Sequence, residues 1–275
     1  MTAFRLLVTE PLDGAANMAL DEALMLSRLR DLGPPTLRFF AWEPATISLG
    51  FGQALDERID LAAADELGIG LVRRPTGGSA ILHEGPELEV TYSVAAGAGD
   101  FPGAEELLAS YRWIGARLEA GLRHLGAPAA IVPVRPSNPG AMPAFCFART
   151  GSYEVEVAGR KLVGSAQRRR KGAFLQHGSI MLGVAADRLR RVFPAEADPL
   201  QGMTTLEAVL GRRPSFAEAV DALGEGFGQA GGVDLAPGGL STDEDELMHA
   251  LIRDKYATER WTREGRSTGA AATAR

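Results

Sequence analysis

The stretch GSYEVEVAGRKLVGSAQRRRKGAFLQHGSIML, residues 151–182, reads as strands packed close together in sequence. SYEVEVAGRKLVGSAQRR is a hairpin that turns at Ala158-Gly159, and AFLQHGSIML returns as a further strand. Strands joined this tightly pair antiparallel, because a parallel pair needs a long crossover. Lys161 stands in the hairpin between two neighbours of ordinary type, Arg160 and Leu162. The chain has 29 Lys plus Arg, and three of them are Lys. A sequence that writes Arg almost everywhere keeps here a compact amine that can change its charge, which guanidinium cannot.

Outward from this stretch, FRLLVTE reads as a first strand and GAANMALDEALMLSRLR as an amphipathic helix. TLRFFAWEP and TISLGFG are two strands broken at Pro44, LDERIDLAAADELGI is a second helix, and IGLVRRP is a short strand. ILHEGPELEVTYSVAA reads as a strand and a bent strand, and AEELLASYRWIGARLEAGLRHLG as the longest helix. PVRPSNPGAMPAF, with four prolines, is a long loop of the kind that serves function in compact domains. Ser241 and Glu244 form a capping box for a helix through about Tyr256. Residues 1–260 are expected to be one domain and 261–275 a disordered tail, since TREGRSTGAAATAR has no apolar pattern. Strands mix with helices without steady βαβ alternation, which predicts the α+β class.

Hydrophobic residues make up 45% and charged residues 23%, the balance of a soluble globular protein. The net charge of −6 argues against a nucleic-acid binder. No segment reaches the ~20 apolar residues of a membrane span, and no secretory signal is visible, so a cytoplasmic protein without a membrane partner is expected. One cysteine makes neither an internal disulfide nor a Cys-rich metal site, and no metal is expected. GFGQAG at 226–231 matches G-x-G-x-x-G but follows a helical pattern where a dinucleotide site needs a strand, and is discounted. The run Arg168-Arg169-Arg170-Lys171 reads equally as a solvated hairpin end or as a docking spot for an acidic partner.

Three segments carry chemistry. In RRPTGGSAILH, residues 73–83, Pro75 fixes the chain and Gly77-Gly78 admit conformations barred to other residues, with amides free to approach a ligand. Arg73 and Arg74 before the turn and His83 after it suit an acyl or phosphate group. In the opening stretch, Gly164, Ser165 and Ala166 are small residues in a strand against which a backbone or flat ligand can lie. Gln167, His177 and Gly178 add polar and small positions on the paired strands. Cys146, the lone cysteine, stands between Phe145 and Phe147 as a buried hydrophobe would. It also comes just before the hairpin bearing Lys161, and a thiol near an ammonium has its thiolate stabilised.

RRPTGGSAILH, then ELEVTYSV, then CF, then GRKLVGSAQRRRKGAFLQHGSIML resemble the lipoate–protein ligase A/octanoyltransferase family, as do NMALDEALM and KYATERWT near the two ends. The resemblance covers almost the whole chain. It implies a mixed, largely antiparallel sheet flanked by helices, the fold of biotin and lipoate protein ligase catalytic domains. Ligases of the family read H-D-x-G-N after the glycine turn, where this sequence has HEGPELEVTYS. The sequence is more similar to the cysteine-dependent octanoyltransferases, on whose nucleophile and pKa-lowering lysine Cys146 and Lys161 fall. The resemblance implies transfer of octanoyl from acyl carrier protein to a lysine of a lipoyl domain, on glycine cleavage H protein or a 2-oxoacid dehydrogenase E2. It implies a cysteine thioester intermediate, no cofactor, and a monomer. An ATP-dependent lipoate ligase, an amidotransferase between lipoyl-domain proteins and a non-enzymatic lipoyl-domain binding module remain as alternatives.

Overall fold

The computed structural model describes residues 2–132, 154–195 and 200–265. Among them, eight strands form one sheet in the spatial order β11 (Val233–Pro237), β1 (Thr2–Val8), β2 (Thr36–Phe40), β6 (Glu89–Gly97), β10 (Ala173–Met181), β9 (Arg160–Arg170), β8 (Val155–Val157) and β7 (Ala130–Ile131). β1 runs parallel to β11 and β2, and the other neighbours are antiparallel. The hairpin of the sequence argument turns at Ala158-Gly159 as expected, both with positive φ. A second sheet has β3 (Thr46–Leu49) between β4 (Gly70–Arg73), parallel to it, and β5 (Ile81–His83), antiparallel. This is the mixed, largely antiparallel α+β architecture that the sequence implies.

The two faces of the large sheet are covered differently. One packs against α3 (Leu107–His124) and α6 (Phe216–Gln229) through Val90, Tyr92, Val94, Phe174, Ile180, Leu118 and Leu223. The other meets α1 (Gly14–Leu29) and the small sheet. Because β6 and β10 are central, both of their faces are buried, and the alternate residues Glu89, Thr91, Ser93, His177 and Ser179 bring polar groups inside. Such groups need internal partners, and those partners make the site described below.

A β-bulge sets the facing of Lys161. Val155 pairs with Val163, but the next residue of β8, Glu156, pairs with Lys161, so Leu162 is extra. Side chains alternate along a strand, and an unbulged β9 would put Lys161 on the same face as Val163, in the α3 core. The bulge turns it to the face of Glu156. There Lys161 Nζ lies 2.7 Å from Glu154 Oε1, with the lysine 1% exposed.

The C-terminal region departs from the sequence reading. α7 (Thr242–Leu251) has the expected Ser241–Glu244 capping box, and a π-helical turn (Ile252–Tyr256) follows it. A further helix, α8 (Glu259–Glu264), buries Trp261 and Thr262 where a tail was expected from residue 261. Trp261 escapes pattern reading because it is one apolar residue among the polar neighbours of TERWTREG; its ring packs near Tyr256 and under Lys255.

The discounted GFGQAG forms the C-terminal end of α6 and the residues just past it, and its first glycine has a packing purpose. A Cβ on Gly226 would sit 2.3 Å from the Gly121 nitrogen, and one on Gly121 would sit 2.7 Å from the Ala222 carbonyl oxygen. The backbones of α3 and α6 therefore touch at this crossing. Gly226→Ala is expected to destabilise the protein by about 1–3 kcal/mol in chemical denaturation, as overpacking does. Gly228→Ala, with open space at its Cβ, should be neutral or slightly stabilising through helix propensity. Equal effects of the two would contradict this account.

Candidate active site

The polar face of β6 and β10, α1 and the small sheet enclose a narrow pocket. Met18, Trp42 and Ile81 supply its apolar wall, Gly164, Ala166 and Gly178 its strand wall, and His83, His177, Ser48 and Arg74 its polar groups. Small side chains at 164 and 166 leave the face of β9 open, as the sequence reading expects.

Two carboxylates with no exposed surface organise this face. Asp21 on α1 accepts from Arg38 Nη1 at 2.9 Å, Ser93 Oγ at 2.8 Å and His177 Nδ1 at 2.9 Å. Asn17, one turn earlier, adds Oδ1 to Arg38 Nη2 at 2.6 Å, and Thr9 adds its hydroxyl at 3.0 Å. Burial opposes the charge on Asp21, but His177 and Arg38 outweigh it and hold the carboxyl below its ordinary value. Burial likewise pushes His177 down, against the pull of Asp21, and the imidazole is neutral near pH 7. Glu89 on β6 accepts from His83 Nδ1 at 2.8 Å, Thr91 Oγ1 at 2.6 Å and the Glu84 amide at 3.1 Å. Trp42 donates to Thr91 and stacks on the His83 ring at 3.9 Å. The pocket wall and its polar frame are thus one hydrogen-bonded unit.

Of the residues singled out in the sequence, His83, Arg74, Gly164, Ala166, His177 and Gly178 meet at this pocket. Arg74 clamps the glycine turn by donating to the carbonyls of Ser48, Gly77 and Ser79. Gly77 and Gly78 form an exposed rim, where Gly78 has φ 94° and its carbonyl meets Gly50 too closely for any Cβ there. Gly178 is small for Tyr92 and the Gly164 carbonyl, which a Cβ would strike at 2.8 and 2.3 Å. Its smallness therefore serves strand packing.

Three residues read as substrate-binding lie elsewhere. Arg73 donates to the carbonyls of Gly50, Phe51 and Gln53 and of Trp261, Thr262 and Arg263, joining α8 to the rim loop. Ser165 and Gln167 sit on the α3 side of β9, because alternation from Gly164 and Ala166 puts them there. Ser165 pairs with the Tyr92 hydroxyl at 2.8 Å, and Gln167 with Gln176 and Ser110. Cys146 and its Pro-rich loop lie outside the described residues. The basic run is tied down: Arg168 covers Phe51 at 4.7 Å, Arg169 reaches Ala104 and Ser110, and Arg170 is 3.7 Å from Glu22.

Sequence reading missed Asn17, Asp21, Glu22, Arg38 and Glu89. The first three lie on two successive turns of NMALDEALM, where an apolar helix carries polar residues. Asn17 and Asp21 share a face at i, i+4, and Glu22 accepts from Lys255 at 2.5 Å and Tyr256 at 2.6 Å. Polar residues on a face that must be buried were the available signal.

Residues 13–228 match the family model of the lipoyl protein ligase A/B catalytic domain. The chain is 40% identical to octanoyltransferase LipM of Symbiobacterium thermophilum, over 94% of this chain and 98% of that one. It is 42% identical to octanoyltransferase LipM of Moorella thermoacetica, over 94% and 97%. Among solved structures, lipoate-protein ligase A bound with ATP superposes with TM-score 0.81 at 25% identity, covering 96% of this chain and 99% of that one. A bipartite lipoate protein ligase from Thermoplasma acidophilum, described with its E2 lipoyl domain, gives TM-score 0.74 at 25% identity over 96% and 97%. The chain belongs to the lipoyl protein ligase A/B family. Within it, the activity is that of an acyltransferase, octanoyl transfer in lipoate biosynthesis.

Arg38→Met should cost about 3 kcal/mol or more in urea denaturation, because Asp21 would stay buried without its cation; a loss under about 1 kcal/mol would refute the account. Glu84, next to His83, has its pKa raised to about 7 by burial, with Arg188 opposing and Glu89 adding to the rise. Its folded value lies above its ordinary 4.5, so the stability it contributes is full below that value and is lost as pH rises through about 7. Glu84→Gln should therefore raise the melting temperature more at pH 8 than at pH 5, and an equal change at both would count against this assignment.

Proposed function

We propose that the enzyme takes octanoyl from acyl carrier protein and delivers it to a lysine of a lipoyl domain, on glycine cleavage H protein or a 2-oxoacid dehydrogenase E2, through a thioester on Cys146. It does so in the cytoplasm, as a monomer, with no cofactor and with one catalytic domain that runs through α8, past the boundary at residue 260 that the sequence suggested. The observation that carries this reading is Lys161: a bulge turns a fully buried ammonium out of the apolar core and onto Glu154, on the strand whose Gly164 and Ala166 line the pocket. A buried ion pair is costly to keep, and a site that needs a held amine is a reason to keep it. The relatives named as octanoyltransferases and the solved ligase described with an E2 lipoyl domain support the donor group and the acceptor.

Cys146 thiolate attacks the carrier thioester; the new C–S bond to Cys146 forms, the one to the carrier breaks, and the carrier leaves as a thiolate that takes a proton from water. The acceptor amine then attacks the acyl carbon, releasing Cys146. Both steps pass through an oxyanion, for which the amides of Gly77 and Gly78 at the rim are the donors. The apolar wall of Met18, Trp42 and Ile81 suits the octanoyl chain.

Mixing the protein with octanoyl-carrier and no nucleotide should add the mass of one octanoyl group to Cys146, releasable by hydroxylamine. Cys146→Ala should abolish the adduct. Lys161→Arg keeps the charge and should retain part of the acylation, whereas Lys161→Ala should slow it at least about a hundredfold. An absolute requirement for ATP and free lipoate would sink this reading.

A further inference from the structure

Strand alternation splits the basic run in two. Along β9, Gly164, Ala166, Arg168 and Arg170 share one face, and Ser165, Gln167 and Arg169 share the other. The contacts agree. Arg169 donates to Ser110 of α3 and lies over Phe174, whereas Arg168 covers Phe51 at 4.7 Å and Arg170 lies 3.7 Å from Glu22 of α1. The strand wall of the pocket at Gly164 and Ala166 therefore continues outward as two guanidinium groups. At ~3.3 Å per residue, Arg168 stands about 7 Å beyond Ala166 and Arg170 about 13 Å.

The opposite side of this cleft is aromatic and cationic. The exposed ring of Phe51 is 5.9 Å from that of Trp261, and Lys255 Nζ lies 4.1 Å from the Trp261 ring centre. Arg168 Nη1 reaches the Pro75 carbonyl at 3.5 Å, which puts it beside the glycine rim. Burial lowers the pKa of the Lys255 ammonium, Glu22 opposes this, and the charges of Arg168 and Arg170 lower it further. Positive charge is crowded here, and an anion relieves such crowding. Both arginines are partly buried, with the Arg170 side chain 20% exposed, whereas Lys171 beyond them is exposed. A convex protein surface meets exposed charges first. Cations recessed in a cleft suit a slender anionic chain.

We infer, on the acyl-carrier donor proposed above, that Arg168 and Arg170 bind the phosphate of the donor's prosthetic arm. An acyl carrier protein presents its thioester on phosphopantetheine, a linear chain joined to the protein through a phosphate diester. With the acyl chain in the pocket, the arm leaves past the glycine rim and runs along β9. Its anion there meets planar guanidinium donors that match phosphate oxygens. Phe51 offers the neutral part of the arm an apolar wall. No bond is made or broken at this site; holding the arm presents the thioester at the pocket mouth.

Two small donors, octanoyl-phosphopantetheine and octanoyl-pantetheine, differ only by the phosphate. Acylation of the full chain, followed by intact mass at subsaturating donor, should be at least about tenfold faster with the phosphorylated one. Arg168→Gln and Arg170→Gln should each cut that ratio at least about threefold, and the double variant should bring it within about twofold of unity. Lys171→Gln should keep the wild-type ratio. A variant damaged in its fold slows both donors alike, so a preference kept by the double variant would overturn the inference. Equal rates with the two donors in the wild type would do the same. So would acylation by octanoyl-acyl carrier protein that falls as far in Lys171→Gln as in Arg168→Gln, since a protein surface would then be what docks. A wild-type chain that takes no octanoyl from the carrier protein or from either small donor overturns the donor reading itself, and mass shows this before any variant is compared.

Discussion

The structure depends on the neutralisation of Asp21. A carboxylate with no exposed surface, inside a sheet-and-helix interface, is tolerable only with a paired cation and filled hydrogen-bond positions. Arg38 from β2, Ser93 from β6 and His177 from β10 each supply one, so three neighbouring strands and α1 are tied at a single point. The same contacts fix the tautomer of His177 and the orientation of its ring. The NMALDEALM segment is polar in the middle because these buried contacts need it to be.

The second frame, around Glu89, makes the pocket wall stiff. Trp42, His83 and Thr91 are linked through one carboxylate, and Arg74 joins the adjacent Ser48 to the glycine turn. Groups already held in place lower the ordering cost of binding for any ligand that enters such a pocket. Lys161 is delivered to its face by a different device, a single extra residue in β9.

Much of the fold was legible because strands and helices here follow their periods: the Ala158-Gly159 hairpin, the break at Pro44, the long α3 and the capping box at Ser241 all form as read. Of the site, the glycine turn, the small residues of β9 and the unusual lysine were visible as local oddities. Assigning sides was harder. Ser165 and Gln167 look equivalent to Gly164 and Ala166 in a string, and separate only once α3 is known to cover one face. Arg73 and Arg74 look alike as neighbours, yet alternation sends one to the rim loop and α8 and the other to the turn. Asp21 and Arg38, 17 positions apart, have no sequence pattern that announces their pairing.

Arg73 has a mechanical implication. Its guanidinium gathers the carbonyls of residues 50, 51 and 53 and of residues 261–263, so the loop after β3 and α8 are held together by one side chain. The loop is thereby fixed by a segment 189 positions from Arg73 in the chain. A change that removed α8 would therefore leave the backbone of residues 50–53 without the partner that holds it to Arg73's other side.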